Sequence, residues 1–222
     1  MVAVAERGLW LPDVANRNDL GTFVDRAIRL DDAAVIRLRA RSAGSLTAWV
    51  ATGFGVLASR VVAGTMRPSD LSAGADNLAR GLSAADRSGY IDCGFPMDSA
   101  WRGALPPESG FTHVDDVPAR AVLELAQRGA QLAKEHGSAH GPPVSLLDQE
   151  VVRVTSAEAD AGVGLPMRCV FALTAMGFLP QSPAAVGGEE IVRVRTQPAW
   201  LRIDARFGSV YRRRGHPALV LS

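Results

Sequence analysis

The chain has 222 residues, 47% of them hydrophobic and 21% charged, with a formal net charge of +1. This balance excludes wholesale disorder, and it excludes a global field drawing the protein to nucleic acid or an anionic membrane, so any electrostatic binding has to be local. Two cysteines, Cys93 and Cys169, are too few for a disulfide framework, and the longest strongly apolar run, Cys169 to Leu179, falls short of the roughly 20 residues that span a bilayer.

"MVAVAERGLWLP" places an acid where the hydrophobic run of a signal peptide would continue, so a cytoplasmic protein is expected. "NDLGTFVDRAIRL" sets Leu20, Phe23, Val24, Ala27 and Ile28 on one helical face, with Asn18 or Asp19 as cap. "AAVIRLRARSAGSLTAWVA" reads as two strands around the loop Ser42-Ala43-Gly44, with Gly44 suited to positive φ. Pairing Arg41 with Ser45 sets Ile36 against Val50, Leu38 against Ala48 and Ala40 against Leu46. The other face then carries Arg37, Arg39 and Arg41 against Trp49, Thr47 and Ser45. A slip of one residue would mix the two sets, so the register is specified by the pattern. "VLASRVVAG" supplies a third strand.

Leu71, Ala75, Leu78 and Leu82 fall in helical phase, although Gly74 interrupts them. The Gly- and Pro-rich stretch from Ser88 to Phe111 reads as loop with one short strand. "DVPARAVLELAQRGAQLAKEHG" is the clearest helix, with Asp116 as cap, Pro118 in the first turn and Gly137 as stop. "HGSAHGPP" is the candidate linker. Beyond it "DQEVVRVTS" reads as a strand and "LPMRCVFALTAMGFLP" as a helix. A hairpin over "EEIVRVRTQPAWLRIDAR" follows, and a last pair of strands flanks "RRGHP".

Helix, strand, helix and basic hairpin is close to the order of a winged-helix DNA-binding domain. A recognition helix must offer polar groups to base edges, however, and Met167 to Leu179 offers Arg168 and Thr174 among apolar residues. It reads as a buried helix. With Thr196-Gln197-Pro198-Ala199 as the loop, the hairpin opposes Val194 to Leu201 and Val192 to Ile203. The far side sets Arg193 against Arg202, Arg195 against Trp200 and Glu189 against Arg206. The candidate binding residues are Arg193, Arg195, Trp200, Arg202, Arg206, Arg212 and Arg213. Arginine forks carboxylates and phosphates and stacks on rings; a coding bias that replaces lysine throughout, leaving only Lys134, gives the same surface without a binding role.

No P-loop, dinucleotide fingerprint, serine elbow or zinc-finger spacing occurs, so no catalytic residue, cofactor or metal site is expected. His136 and His140 have a metal-ligand spacing, but Gly137 lies between them. Cys93 with His113 or Arg102 would be the starting point for an enzyme of unrecognised class with a pocket in the 88–115 region.

The stretches "AAVIRLRAR", "TGFGVLASRVVAG", "WRGALPPESGF", "DDVPARAVLELAQRG", "SLLDQEVVRVT", "LPMRCVFALTAMGFL" and "RIDARFGSVYRRRG" together resemble conserved hypothetical proteins of high-GC actinobacteria. That resemblance implies no activity, cofactor or site residue.

The sequence therefore predicts an α+β protein of antiparallel sheets and hairpins with a few covering helices. Its organisation is an N-terminal region over 1–136, holding a helix, a three-stranded meander and a helix over 117–136, and a C-terminal region over 144–222 with a buried helix and hairpins. A single domain with one shared core is the alternative. The function expected is a non-enzymatic binding or scaffold protein using an arginine and Trp sheet face toward a protein partner or itself. A nucleic-acid-associated protein without sequence specificity is the first alternative, and the enzyme is the second.

Overall fold

A computed structural model describes residues 7–136, 142–155, 162–180, 187 and 189–214. The residues after the longest helix, including Gly137, His140 and the candidate linker as far as Gly141, lie outside the described residues, as do the His136 side chain and the final strand expected beyond Arg214. The fold is α+β, with antiparallel sheets. The chain divides into two compact units, Met1–Gly53 with Leu57–Ala104, and Phe54–Val56 with Leu105–Ser222.

In the N-terminal unit, β1 (Gly8–Trp10) precedes α1 (Val14–Leu30), and Asp13 caps the helix by accepting from the Ala15 N–H at 2.9 Å. The helix thus begins a turn earlier than Asn18 or Asp19 would have set it. Leu20, Phe23, Val24 and Ala27 form its buried face, as their spacing requires. Strands β2 (Val35–Arg41) and β3 (Ser45–Ala51) pair in the register read from the pattern, from Ile36 against Val50 to Arg41 against Ser45. Both Ala43 and Gly44 hold positive φ in the turn. β4 (Leu57–Ala63) extends the meander, and Arg60 on it reaches back to Asp19 of α1.

The helix expected from Leu71 onward is divided. Asp70–Gly74 is a strand, β6, which follows the short β5 (Thr65–Arg67) and pairs with β2. The helix α2 occupies only Ala75–Ser83. Leu71 and Leu78 are buried in either reading, which is why periodicity alone could not separate them. The sheet order is β6-β2-β3-β4, and β1 pairs separately with β5 and with β7 (Tyr90–Ile91).

The C-terminal unit starts with β8 (Thr112–Pro118) and α3 (Ala119–His136). Asp116 and Pro118 therefore belong to the strand, not to the helix start. This helix also falls outside the N-terminal region proposed from sequence: it packs on α5 (Met167–Ala175). At Gly129 a Cβ would sit 2.8 Å from the Met167 side chain and 3.0 Å from the Phe171 ring, so the glycine lets the two helices approach. Between them lie α4 (Val144–Asp148) and the hairpin of β9 (Glu150–Val154) and β10 (Val163–Pro166). A meander of β11 (Ile191–Gln197), β12 (Trp200–Ala205) and β13 (Gly208–Arg213) then completes a sheet ordered β13-β12-β11-β8.

Gly81 in α2 gives a test of this packing. A Cβ there would lie 2.0 Å from the Asp92 carbonyl oxygen, which is backbone and cannot turn aside. Gly81→Ala should lower stability by about 2 kcal/mol in urea unfolding, despite the better helix propensity of alanine. A neutral or stabilising result would contradict the close approach of α2 to the segment after β7.

Candidate functional site

β11 turns into β12 through Pro198-Ala199 alone, so Gln197 pairs with Trp200, Arg195 with Arg202 and Arg193 with Asp204. The four-residue loop expected from sequence set Arg195 against Trp200 and Arg193 against Arg202; the actual register is displaced by two residues. Two is one full strand period, so every side chain keeps its face and changes only its partner.

This register sets Arg195 directly across from Arg202, a repulsive pair unless something offsets it. Asp204, the next residue along β12 on the same face, does so. Arg202 Nε donates to Asp204 Oδ1 at 2.7 Å, and Arg195 Nη1 lies 3.3 Å from Oδ2. From β13, Ser209 Oγ donates to Oδ1 at 2.5 Å. The Arg202 guanidinium lies over the rings of Phe111 and Tyr211, 5.6 and 5.5 Å from their centroids, and the two rings meet edge-on at 6.0 Å. Each such cation–π contact contributes about 0.5–1 kcal/mol, more where water is excluded. Arg202 remains 23% exposed.

Toward the β8 edge, Arg193 Nε donates to Asp116 Oδ1 at 3.1 Å, and the Nε2–H of His113 donates to the same oxygen at 3.0 Å. The bond from His113, foremost, and that from Arg193 hold the Asp116 carboxyl below its ordinary range against the opposing effect of burial. Arg213 lies across from Trp200, exposed on this face. Four arginines, Arg193, Arg195, Arg202 and Arg213, thus face two aspartates, an excess of two positive charges.

Three of the residues singled out from sequence do not serve this face as expected. Trp200 is only 8% exposed, set between Gln197 and Arg213 on its neighbouring strands, so its ring is no open stacking platform. Arg206 lies in the turn beyond β12, over the Phe207 ring at 5.3 Å and 3.9 Å from Glu190 Oε2. Arg212 points the opposite way from Arg213, because successive strand residues alternate, and its Nη2 donates to Asp148 Oδ1 at 3.4 Å. Arg168 of α5 donates to that same oxygen through Nη2 at 2.5 Å and to the Phe54 carbonyl through Nη1 at 2.6 Å. Phe111 and Asp204, which organise the face, were not singled out; Asp204, two residues from Arg202 on one strand, was the legible signal.

Cys93 is fully buried in the N-terminal unit, and burial pushes its thiol up to about 12. His113 belongs to the C-terminal unit and is engaged by Asp116, and Arg102 is exposed. Cys169, inside α5, is also pushed up to about 12 by burial. Most of α5 is buried, as its composition required, so it offers no recognition surface. A cleft of about 250 Å³ in the C-terminal unit is lined by Glu150, Val163, Leu201, Arg212 and Arg214, none of them in the 88–115 segment. Among the described residues, no group of three or more His, Cys, Asp or Glu is placed to hold a metal, and no helix is long and apolar enough to cross a membrane.

Residues 106–217, about half of the chain, match the family described as domain of unknown function DUF8185, and residues 4–103 match domain of unknown function DUF8010. The two matches meet where the compact units divide. No curated protein matches the chain. Among solved structures, the fold is similar to a Eubacterium rectale protein described as a DNA polymerase III beta subunit, with a TM-score of 0.58, 11% identity and 96% of this chain covered. It is similar also to the DNA polymerase sliding clamp of Caulobacter crescentus, with a TM-score of 0.53, 12% identity and 91% coverage. The beta subunit from DNA polymerase of Streptococcus pyogenes aligns with a TM-score of 0.54, 12% identity and 94% coverage. The chain spans 66, 65 and 65% of those proteins' lengths. Identities this low establish likeness of fold alone.

Two measurements check these assignments. Neither thiol should react with a maleimide in the native protein at pH 8, and both should react in denaturant; rapid native labelling of Cys93 would revive a cysteine nucleophile. Because the folded-state pKa of Asp116 is depressed, its stabilisation is present above the unfolded value of about 4 and is lost as pH falls through the folded one. Asp116→Asn should therefore be less stable than wild type at pH 7, by under about 1 kcal/mol for so exposed a group, with the gap closing below about pH 4. A gap that persisted at low pH would show that the carboxylate charge is not what acts.

Proposed function

The chain belongs to the family described as domain of unknown function DUF8185, a membership that carries no activity, and we propose that it is a non-enzymatic binding or scaffold protein whose C-terminal sheet face docks a protein partner or a second copy of itself. The observation that carries this reading is the arrangement around Arg202. Its guanidinium is anchored on Asp204, held against Phe111 and Tyr211, and still reachable from solvent. Arginine and large aromatics dominate interface hot spots. A side chain ordered before its partner arrives loses less entropy on binding.

Nucleic acid is the second reading, favoured by the fold's likeness to proteins described as subunits of DNA polymerase. The charges argue for the protein partner. Six to ten phosphate contacts, roughly, support ordinary DNA binding, whereas this face has an excess of two positive charges. Trp200 and Tyr211 are both buried, which removes the flat rings that single strands use for stacking. For catalysis, both thiols are buried.

The test is capture from native lysate by the tagged chain, with and without nuclease, alongside the double variant Arg195→Gln, Arg213→Gln. A stoichiometric protein partner, or a second copy, should survive nuclease and be lost in the variant. Nuclease-sensitive capture, joined to DNA affinity falling steeply with salt, would overturn the reading in favour of nucleic acid.

A further inference from the structure

The arginine face of the C-terminal unit has a counterpart in the N-terminal unit. Arg37, Arg39 and Arg41 alternate along β2, and their cross-strand neighbours Trp49, Thr47 and Ser45 continue that face over β3. On β4 it continues with Ser59, Val61 and Ala63; Ser59, Thr47 and Trp49 are buried, so the accessible part is the end that carries Arg39, Arg41, Val61 and Ala63. Asp70 on β6 is the one carboxylate that these four strands place on it. Arg37 donates to Asp70 through Nε at 2.9 Å and Nη2 at 2.8 Å, and Arg39 Nε lies 3.4 Å away. Asp98, which accepts from the Ser72 N–H at 2.6 Å, adds a second carboxylate beside Arg37, so three arginines against two aspartates leave an excess of one positive charge. Arg39 is 42% exposed, Arg41 is exposed without an ion-pair partner among the described residues, and Val61 is 47% exposed.

The two faces are built alike. Val35-Ile36-Arg37-Leu38-Arg39 and Ile191-Val192-Arg193-Val194-Arg195 share one alternation. In each unit the strand flanking the arginine strand supplies an aspartate, Asp70 across from Arg39 and Asp116 across from Arg193.

We propose that the N-terminal face is a second docking face for the same class of partner, an extended acidic protein segment, so that one chain holds two such segments. The proposal rests on the reading of the C-terminal face as a protein-docking surface, and it adds the partner's chemistry and the second site. Side chains on one side of an extended segment recur about every 6.8 Å, the repeat at which Arg37, Arg39 and Arg41 themselves leave β2. Carboxylates at alternate positions of the partner therefore meet successive guanidiniums, and Val61 meets an apolar flank. Duplex DNA, with a charge about every 1.7 Å of its axis, needs far more cations than this face has in excess. Trp49 is buried, so single strands find no ring to stack on.

The experiment is isothermal titration calorimetry at low salt on the full chain, with a short capped peptide alternating glutamate and serine as probe and oligothymidylate as competitor. Wild type should bind two peptides per chain. Arg39→Gln with Arg41→Gln should leave one, Arg195→Gln with Arg213→Gln should leave the other, and the combined variant should bind none. Arg41→Gln alone, at an exposed and unpaired position, should weaken one of the two sites about tenfold without disturbing the fold. A single site that ignores Arg39 and Arg41 and disappears with Arg195 and Arg213 would overturn the second face while leaving the C-terminal reading intact. No peptide binding by wild type would overturn the acidic-segment proposal, while the lysate capture above continues to decide the C-terminal face. Displacement of the peptide by oligothymidylate would overturn both readings in favour of nucleic acid.

Discussion

A β-strand sends successive side chains to opposite sides, and this chain loads those sides very differently. On the C-terminal unit, Val192, Val194, Leu201, Ile203 and Val210 fill the inner side and are almost wholly buried. Burying each such side chain stabilises the fold by about 1.5–3 kcal/mol, so a slip of one residue would cost several of them at once. The arginines between them are therefore carried to the outer side by the core. Their alignment is a consequence of aliphatic packing, and no interaction among the arginines themselves could have imposed it.

That enforced alignment creates an electrostatic difficulty, and the acids resolve it. Arg195 and Arg202 face each other across the hairpin, and Asp204 reaches both. Arg37 and Arg39 leave β2 on the same side, and Asp70 reaches both. Exposed pairs of this kind contribute about 0.2–1 kcal/mol, too little to hold the sheets together. What they do fix is orientation. A guanidinium tied to a carboxylate and, for Arg202, laid over two rings has given up much of its freedom before any partner arrives.

The likeness to DNA polymerase beta subunits reaches the fold and stops there, because one architecture hosts many functions. What distinguishes one partner from another is the balance of charge on each face. An excess of one or two positive charges per face is small beside the demands of a nucleic-acid duplex. Trp49 and Trp200 lie on the arginine faces and are buried among their neighbours.

Much of the local architecture was legible in the sequence. The β2–β3 register could be read because every alternative of one residue mixed apolar with charged positions, and Gly44 marked the turn. The buried character of α5 followed from its composition. The pairing of β11 with β12 was misread by two residues, since a shift of one full period leaves the alternation unchanged and only the turn geometry distinguishes the registers. Asp116 and Pro118 carry signals suited equally to a helix start and to a strand end, and pairing with β11 decided between them. The pattern of α3 announced a helix but not its partner; α5, reached through Gly129, determined the unit to which the helix belongs. Which residues share a face was readable from the chain, because that depends on the backbone period alone. Which arginine meets which aspartate and which ring had to wait for the folded chain, because most of those contacts, such as Arg193 with Asp116 and Arg202 with Phe111, join residues far apart in sequence, where no local period reaches.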